Sequence, residues 1–177
     1  LRRPKGEDGA VIPVVSFIGH HDSGKTRLLV EIIPLLVERG YRVGTVKHAP
    51  NLDEVDRPDS DSEQHLAAGA SRVLLRGERV SSLTWRHEEG ELPGDLERLF
   101  AGCDVVLAEG FKHGPWPKIE VFRRGRDLRR EPLAGEIDVV AVVTSEHVAV
   151  PDGVTVISPR DREAILELLE ELIAAPA

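Results

Sequence analysis

The residues with the clearest chemical meaning run Gly19-His20-His21-Asp22-Ser23-Gly24-Lys25-Thr26. They fit G-x-x-x-x-G-K-[ST], a spacing in which glycines let backbone N–H groups turn inward toward phosphate oxygens. A helix beginning near Gly24 adds its positive end to the same point. Lys25 can then reach the β and γ phosphates, and the Thr26 hydroxyl can ligate Mg²⁺. The context this motif requires is also present, with an apolar strand before it and a helical pattern after it. His20 and His21 occupy variable positions of the loop and read as solvated, with donation to a phosphate as the other reading. The seven histidines are scattered. None forms an i, i+4 pair backed by a third ligand, which argues against a dedicated metal site.

Phosphate chemistry needs an acid that holds Mg²⁺ or orients water at the end of a neighbouring strand. Val105-Val106-Leu107-Ala108-Glu109-Gly110 supplies one in Glu109. Asp104 opens the same strand roughly 16 Å away at about 3.3 Å per residue, too far to share the ion. Lys47 and His48 end the second strand and face the same site. Asp53, Glu54, Asp56, Asp59 and Asp61 crowd the loop that follows. Such a run is ordinarily a solvated face, but a loop entering the site could carry one or two acids to the ion or its waters. Asp61 reads equally as an acid at a helix N-terminus. Glu146, after a late apolar strand, either accepts from a purine ring or belongs to a plain turn.

These groups need elements to position them. Val11 to Ile18 reads as a buried strand, with Pro13 at its start. Leu28, Leu29, Ile32, Ile33, Leu36 and Val37 then follow helical spacing up to Gly40, with a kink expected at Pro34. Tyr41 to Val46 is a second strand and Asp61 to Ala68 a short helix. Arg72 to Leu75 and Arg79 to Trp85 flank Gly77 as a hairpin. Asp95 to Phe100 is a short helix. Asp104 to Ala108, Lys118 to Phe122, Val139 to Val143 and Val154 to Ile157 are strands, with an Arg-rich turn through Arg130. Asp161 starts a final amphipathic helix through Ile173. Strands alternating with helices, several of them fully apolar, predict a P-loop NTPase-like α/β fold: a mostly parallel sheet covered by helices on both faces, with a small β-hairpin insertion. Ligands belong at the carboxyl ends of its strands.

Composition narrows the function classes. At 177 residues the chain suits one domain, read as residues 11–177 behind a polar tail over residues 1–10. Its net charge of −8 argues against non-specific nucleic-acid binding. No apolar run approaches the roughly 20 residues of a membrane helix, and no secretory leader opens the sequence. A lone Cys103 excludes an internal disulfide framework and a multi-cysteine zinc site. The expectation is a cytoplasmic, reducing-compartment protein.

Taken together, several blocks resemble the molybdopterin-guanine dinucleotide biosynthesis protein B (MobB) family. They are Gly19 to Thr26, Val46-Lys47-His48, Val55-Asp56-Arg57-Pro58, Asp61-Ser62 with Ala68-Gly69-Ala70, Ala108 to His113, and Lys118 to Arg123. The blocks are collinear over about residues 12 to 145. The Glu-Gly-Phe-Lys block combined with Val-Lys-His and Asp-x-Pro is far more specific than the phosphate loop alone. The resemblance implies a GTP- and Mg²⁺-binding protein, weakly hydrolytic and usually a homodimer. It would assist a separate guanylyltransferase that joins GMP to molybdopterin, and molybdopterin itself is a further candidate ligand. By position, Lys25 and Thr26 would bind phosphate and Mg²⁺, Glu109 would be the second-strand acid and Asp61 the switch acid. Asp56 joins the metal candidates, and Lys112 and His113 would lie near an anionic ligand. This chain departs from the family at Asp59-Ser60, where Gly-Lys is common, and at Glu146, where a shorter acid is common.

No Asn-Lys-x-Asp occurs, so guanine preference rests on the resemblance. Two rival readings stand beside it. A small-molecule kinase could use Arg123 to Arg130 as a lid, and a nucleotide-regulated adaptor would act through its bound state without turnover. A metal-delivery GTPase would show clustered Cys and His ligands, which this sequence lacks. The absence of a glutamine near the phosphate loop points to slow hydrolysis.

Overall fold

A computed structural model describes residues 12–49, 60–86, 96–125 and 127–175. In chain order the elements are β1 (Val14–Ile18), α1 (Lys25–Glu38), β2 (Val43–Lys47), α2 (Asp61–Ala67), β3 (Val73–Arg76), β4 (Ser81–Thr84), α3 (Leu96–Leu99), β5 (Val105–Glu109), β6 (Lys118–Val121), β7 (Ala141–Val143), β8 (Thr155–Ile157) and α4 (Arg162–Ala174). A 3-10 turn spans Leu133–Gly135 between β6 and β7. The chain divides into two compact units, residues 1–48 with 97–177, and residues 49–96.

The first unit holds a six-stranded sheet in the order β2-β5-β1-β6-β7-β8. Every pairing in it is parallel. Parallel strands need both faces covered, and the alternation of side chains shows how this is met. Val15, Phe17, Val105, Leu107, Ile119, Val121, Ala141 and Val143 point to one face. There they pack against Leu28, Leu29, Ile32 and Leu36 of α1 and Ile165, Leu166, Leu169 and Ile173 of α4. Ile18, Phe122 and Val142 form a second cluster with Ala134 of the 3-10 turn and Val139. Phe100, just after α3, packs on the face of β2, its ring occupying the space a Cβ on Gly44 would need. One face therefore carries two long helices, and the other carries short helical turns.

Local chemistry explains the ends of these elements. α1 runs through Pro34 as a single helix. It stops where the Tyr41 N–H donates to the Leu36 carbonyl and the Gly40 N–H to that of Val37, a closure suited to glycine just past the helix. α4 starts on Asp161, whose carboxylate accepts from the Ala164 N–H at 3.1 Å. Arg39 of α1's end reaches Glu163 and Glu170 on α4 at 2.6 and 2.9 Å. At the far end of the sheet Asp104 accepts from the Arg42 N–H at 2.7 Å and from its guanidinium at 3.1 Å. Asp104 thus pins β2 to β5 away from the phosphate loop, in keeping with its exclusion as a metal ligand.

In the second unit, α2 is capped by the Ser60 hydroxyl, which accepts from the Glu63 N–H at 3.2 Å. β3 and β4 pair antiparallel, Val73 opposite Thr84 and Arg76 opposite Ser81. This is the expected hairpin, closed by the Gly77 N–H on the Val80 carbonyl. Leu74, Leu75, Val80 and Leu83 are exposed on it.

Truncating a side chain in the main core should be costly. Ile32 is 0% exposed between α1, the sheet and α4. Ile32→Ala should lower the unfolding free energy by about 2–5 kcal/mol, read by urea denaturation. A loss under about 1 kcal/mol would mean that α1 is not seated as described.

Candidate functional site

Because β2, β5 and β1 are parallel and in register, Lys47 lies level with Glu109, and Glu109 with Phe17. The chain leaves β1 at Gly19 and turns back on itself to start α1. Gly19 has φ of 144°, and a Cβ there would stand 2.3 Å from the Val121 carbonyl oxygen, so only glycine fits. Asp22 takes φ of 58°, a left-handed conformation that a short polar residue tolerates. Gly24 precedes α1, also left-handed, at φ of 101°.

The start of α1 differs from those of α2 and α4. Those two are capped by Ser60 and Asp161 and carry acids in their first turns. The start of α1 has no side-chain cap and no first-turn acid. Its leading N–H groups and the positive end of a 14-residue helix are therefore available to an anion. Nearby, the buried Ser23 hydroxyl has no hydrogen-bond partner, an orphan that a phosphate oxygen would satisfy.

Lys25 folds back over the loop, its Nζ donating to the carbonyls of Gly19 at 3.1 Å and His20 at 2.8 Å. These neutral acceptors are ones a phosphate would outcompete. Burial pushes the Lys25 pKa down, Glu109 pulls it back up and Lys47 opposes it. Thr26 Oγ1 donates to Glu109 Oε1 at 2.7 Å, and Lys47 Nζ pairs with the same oxygen at 3.2 Å. A hydroxyl and a carboxylate are thus brought together beside the phosphate cradle. Among the described residues no group of three or more His, Cys, Asp or Glu could hold a metal ion. Mg²⁺ suits such a place, since it keeps several waters and takes one or two protein oxygens with substrate phosphates.

The remaining candidates fall as follows. His21 and Asp22 are exposed and lie 3.5 Å apart. His20 is engaged, with Nε2 3.1 Å from the Glu131 carbonyl and its ring edge-on to Phe122. His48 donates its backbone N–H to the Glu109 carbonyl at 2.9 Å. Lys112 and His113 are exposed in the turn that follows Glu109. Glu146 accepts from the Arg124 N–H at 2.9 Å and from its guanidinium at 3.3 Å, so it anchors the Arg-rich segment. Asp61 is the first residue of α2, in the second unit, where its charge suits the helix's positive end. Asp56 lies outside the described residues.

One buried group was not anticipated as functional. Glu120, on β6, is 0% exposed, and its two oxygens accept the N–H groups of Leu133 at 2.8 Å and Ala134 at 2.9 Å. It holds the 3-10 turn against the strand that abuts Gly19. The signal was an acid inside the apolar run Ile119 to Phe122.

With this geometry in hand, comparison with known proteins is decisive. The family model described as molybdopterin guanine dinucleotide synthesis protein B, MobB, matches residues 14–145. The chain belongs to the MobB family. A relative from Escherichia coli K12, named molybdopterin-guanine dinucleotide biosynthesis adapter protein, is 36% identical over 140 residues, 76% of this chain and 79% of its own. A Haemophilus influenzae protein of the same name is 38% identical over 142 residues, 76% of this chain and 75% of its own. The crystal structure of Bacillus subtilis MobB has a TM-score of 0.70 at 26% identity, covering 93% of this chain and 100% of that one. The predicted fold class and family are thus borne out, and the MobB match includes the phosphate loop, Glu109 and Glu120.

Glu120 gives a pH signature. Burial pushes its carboxyl above the usual range, while the Leu133 and Ala134 N–H groups and His20 pull it part-way back. A raised native pKa means that the folded state holds the proton more tightly than the unfolded chain. Stability should therefore fall as pH rises from the ordinary carboxylate value through the raised one, and level off above it. Urea midpoints against pH should show this fall in the wild type and lack it in Glu120→Gln. Parallel profiles would show that Glu120 titrates as an unperturbed acid.

Proposed function

We propose that this MobB-family protein binds GTP with Mg²⁺ at the Gly19–Thr26 loop. In this reading it acts as an adapter to a separate nucleotidyltransferase that attaches GMP to molybdopterin. The observation that carries the proposal is the uncapped start of α1, with Lys25 folded over the loop and Thr26 joined to Glu109. Loop N–H groups and Lys25 would hold the β and γ phosphates. Thr26 and Glu109 would hold the ion, which supplies charge neutralisation on the terminal phosphates. Lys47, paired with Glu109 at 3.2 Å, would keep its carboxylate aimed at the ion. Preference for guanine is supported by kinship, through relatives named for molybdopterin-guanine dinucleotide.

Hydrolysis would be slow, since the sequence around the phosphate loop carries no glutamine to orient an attacking water. An adapter whose bound state matters more than its turnover fits this arrangement. We assign pairing into a homodimer to the hairpin that exposes Leu74, Leu75, Val80 and Leu83, since an isolated two-stranded hairpin is marginal alone. No described helix is long and apolar enough to cross a membrane.

Calorimetry with GTP and ATP, with and without Mg²⁺, tests the reading. GTP should bind more tightly than ATP, and Lys25→Ala should weaken GTP at least about 100-fold through loss of charge-assisted bonds. Glu109→Gln should keep nucleotide binding and slow hydrolysis about tenfold or more. Preferential ATP binding would favour the small-molecule kinase, and unchanged GTP affinity in Lys25→Ala would sink the phosphate-loop assignment. Sedimentation of the same sample reads the assembly, and a monomer at tens of micromolar would contradict the pairing.

A further inference from the structure

Directly after Glu109 the backbone enters a conformation that bulky residues avoid. Phe111 has φ of 53°, and such a residue persists there only where its surroundings over-determine it. The Gly114 N–H donates to the Phe111 carbonyl at 2.8 Å and closes the turn. This sets the Phe111 ring between two others, 5.2 Å from His48 and 5.6 Å from Trp116. The His48 Cβ lies 3.1 Å from where a Cβ on Gly110 would stand, so the two segments are in close contact. His48 is exposed while Phe111 and Trp116 are half-buried, so the three rings meet solvent at the ligand end of the sheet.

The charge around these rings is unlike that of the chain as a whole. Over residues 47–48 and 109–118 the acid Glu109 stands against Lys47, Lys112 and Lys118, with His48 and His113. The protein carries a net charge of −8. Lys47, Lys112 and His113 are exposed beside the rings. Flat aromatic faces with flanking cations fit a planar heterocycle that carries an anionic group.

The position of the rings separates them from the base of a nucleotide bound at the loop. Thr26 and Glu109 would hold a Mg²⁺ that neutralises the terminal phosphates, which would place those phosphates on the Glu109 side and the base away from it. The ring cluster therefore lies on the phosphate side of the loop, away from where the base would leave, and suits a second planar ligand rather than the guanine of the nucleotide. We infer that His48, Phe111 and Trp116 form a stacking platform for a pterin ring, whose phosphate is met by Lys47, Lys112 and His113. The choice of a pterin rests on the function proposed above. Pterin and guanine share a 2-amino-4-oxopyrimidine edge, so the test must separate them.

Trp116 is one of two tryptophans, the other being Trp85. In the full chain carrying Trp85→Phe, its emission reports the platform alone. The probes are 6-hydroxymethylpterin phosphate, the same pterin without phosphate, and GMP. The phosphorylated pterin should quench Trp116 saturably, at least tenfold more tightly than GMP. Phe111→Leu, which keeps an apolar side chain but no ring, should weaken it at least tenfold. Lys112→Ala, an exposed change that keeps the test valid if the leucine variant misfolds, should erase the preference for the phosphorylated pterin. Three results would each overturn the platform: no saturable quenching, quenching by GMP as tight as by the pterin, or equal pterin affinity in both variants. GTP titrated by calorimetry on the Trp85→Phe parent is read separately. Absent GTP binding with intact, Phe111-dependent pterin quenching would contradict the nucleotide assignment and support the platform.

Discussion

The site depends on the shared register of three parallel strands. Lys47 pairs level with Glu109, and Glu109 with Phe17, two residues before the chain turns at Gly19. A one-residue slip would send alternate side chains to the opposite face and take Glu109 from Thr26. The slip is opposed at both ends of the sheet. Arg42 and Asp104 lock β2 to β5 at the far end, while the Gly110 N–H donates to the Phe17 carbonyl at 2.9 Å near the site. The apolar packing of α1 and α4 on one face then holds the strands at that level.

Charge is distributed to serve the same end. The chain is acidic overall, yet the first turn of α1 itself carries no acid and no side-chain cap. α2 and α4 satisfy their own leading N–H groups with Ser60, Asp161 and nearby acids, so neither competes for phosphate. Glu109 is the acid next to the loop, and Thr26 and Lys47 both engage it. Glu120 contributes from beneath, tying the 3-10 turn to the strand on which Gly19 rests. The Arg-rich segment is anchored through Arg124 to Glu146 and, more loosely, to Glu131 at 3.7 Å.

Much of this was legible in the residues, for identifiable reasons. The phosphate loop, its flanking strand and helix, Glu109 and the Gly77 hairpin follow from glycine placement and from clean apolar periods. Strand bounds are less legible: the pattern over Tyr41 to Val46 corresponds to Val43–Lys47, and that over Val139 to Val143 to Ala141–Val143, since apolar residues continue past the last ladder bonds. Pro34 lies inside α1, as the helical spacing of its neighbours requires. The role of Glu120 was not legible, since an acid within an apolar strand does not announce that backbone N–H groups from a segment 13 residues later will meet it. Likewise the strained turn at Phe111 arises from the Gly114 bond and the neighbouring rings, contacts that no local pattern encodes. Glu146 illustrates the opposite case, an acid open to two readings until its partner Arg124 was located.

The most direct measurement is a crystal structure with a non-hydrolysable GTP analogue and Mg²⁺. Lys25 Nζ should leave the Gly19 and His20 carbonyls for the β and γ phosphates, with Mg²⁺ at Thr26 and Glu109. An analogue bound elsewhere, with Lys25 still on those two carbonyls, would contradict it.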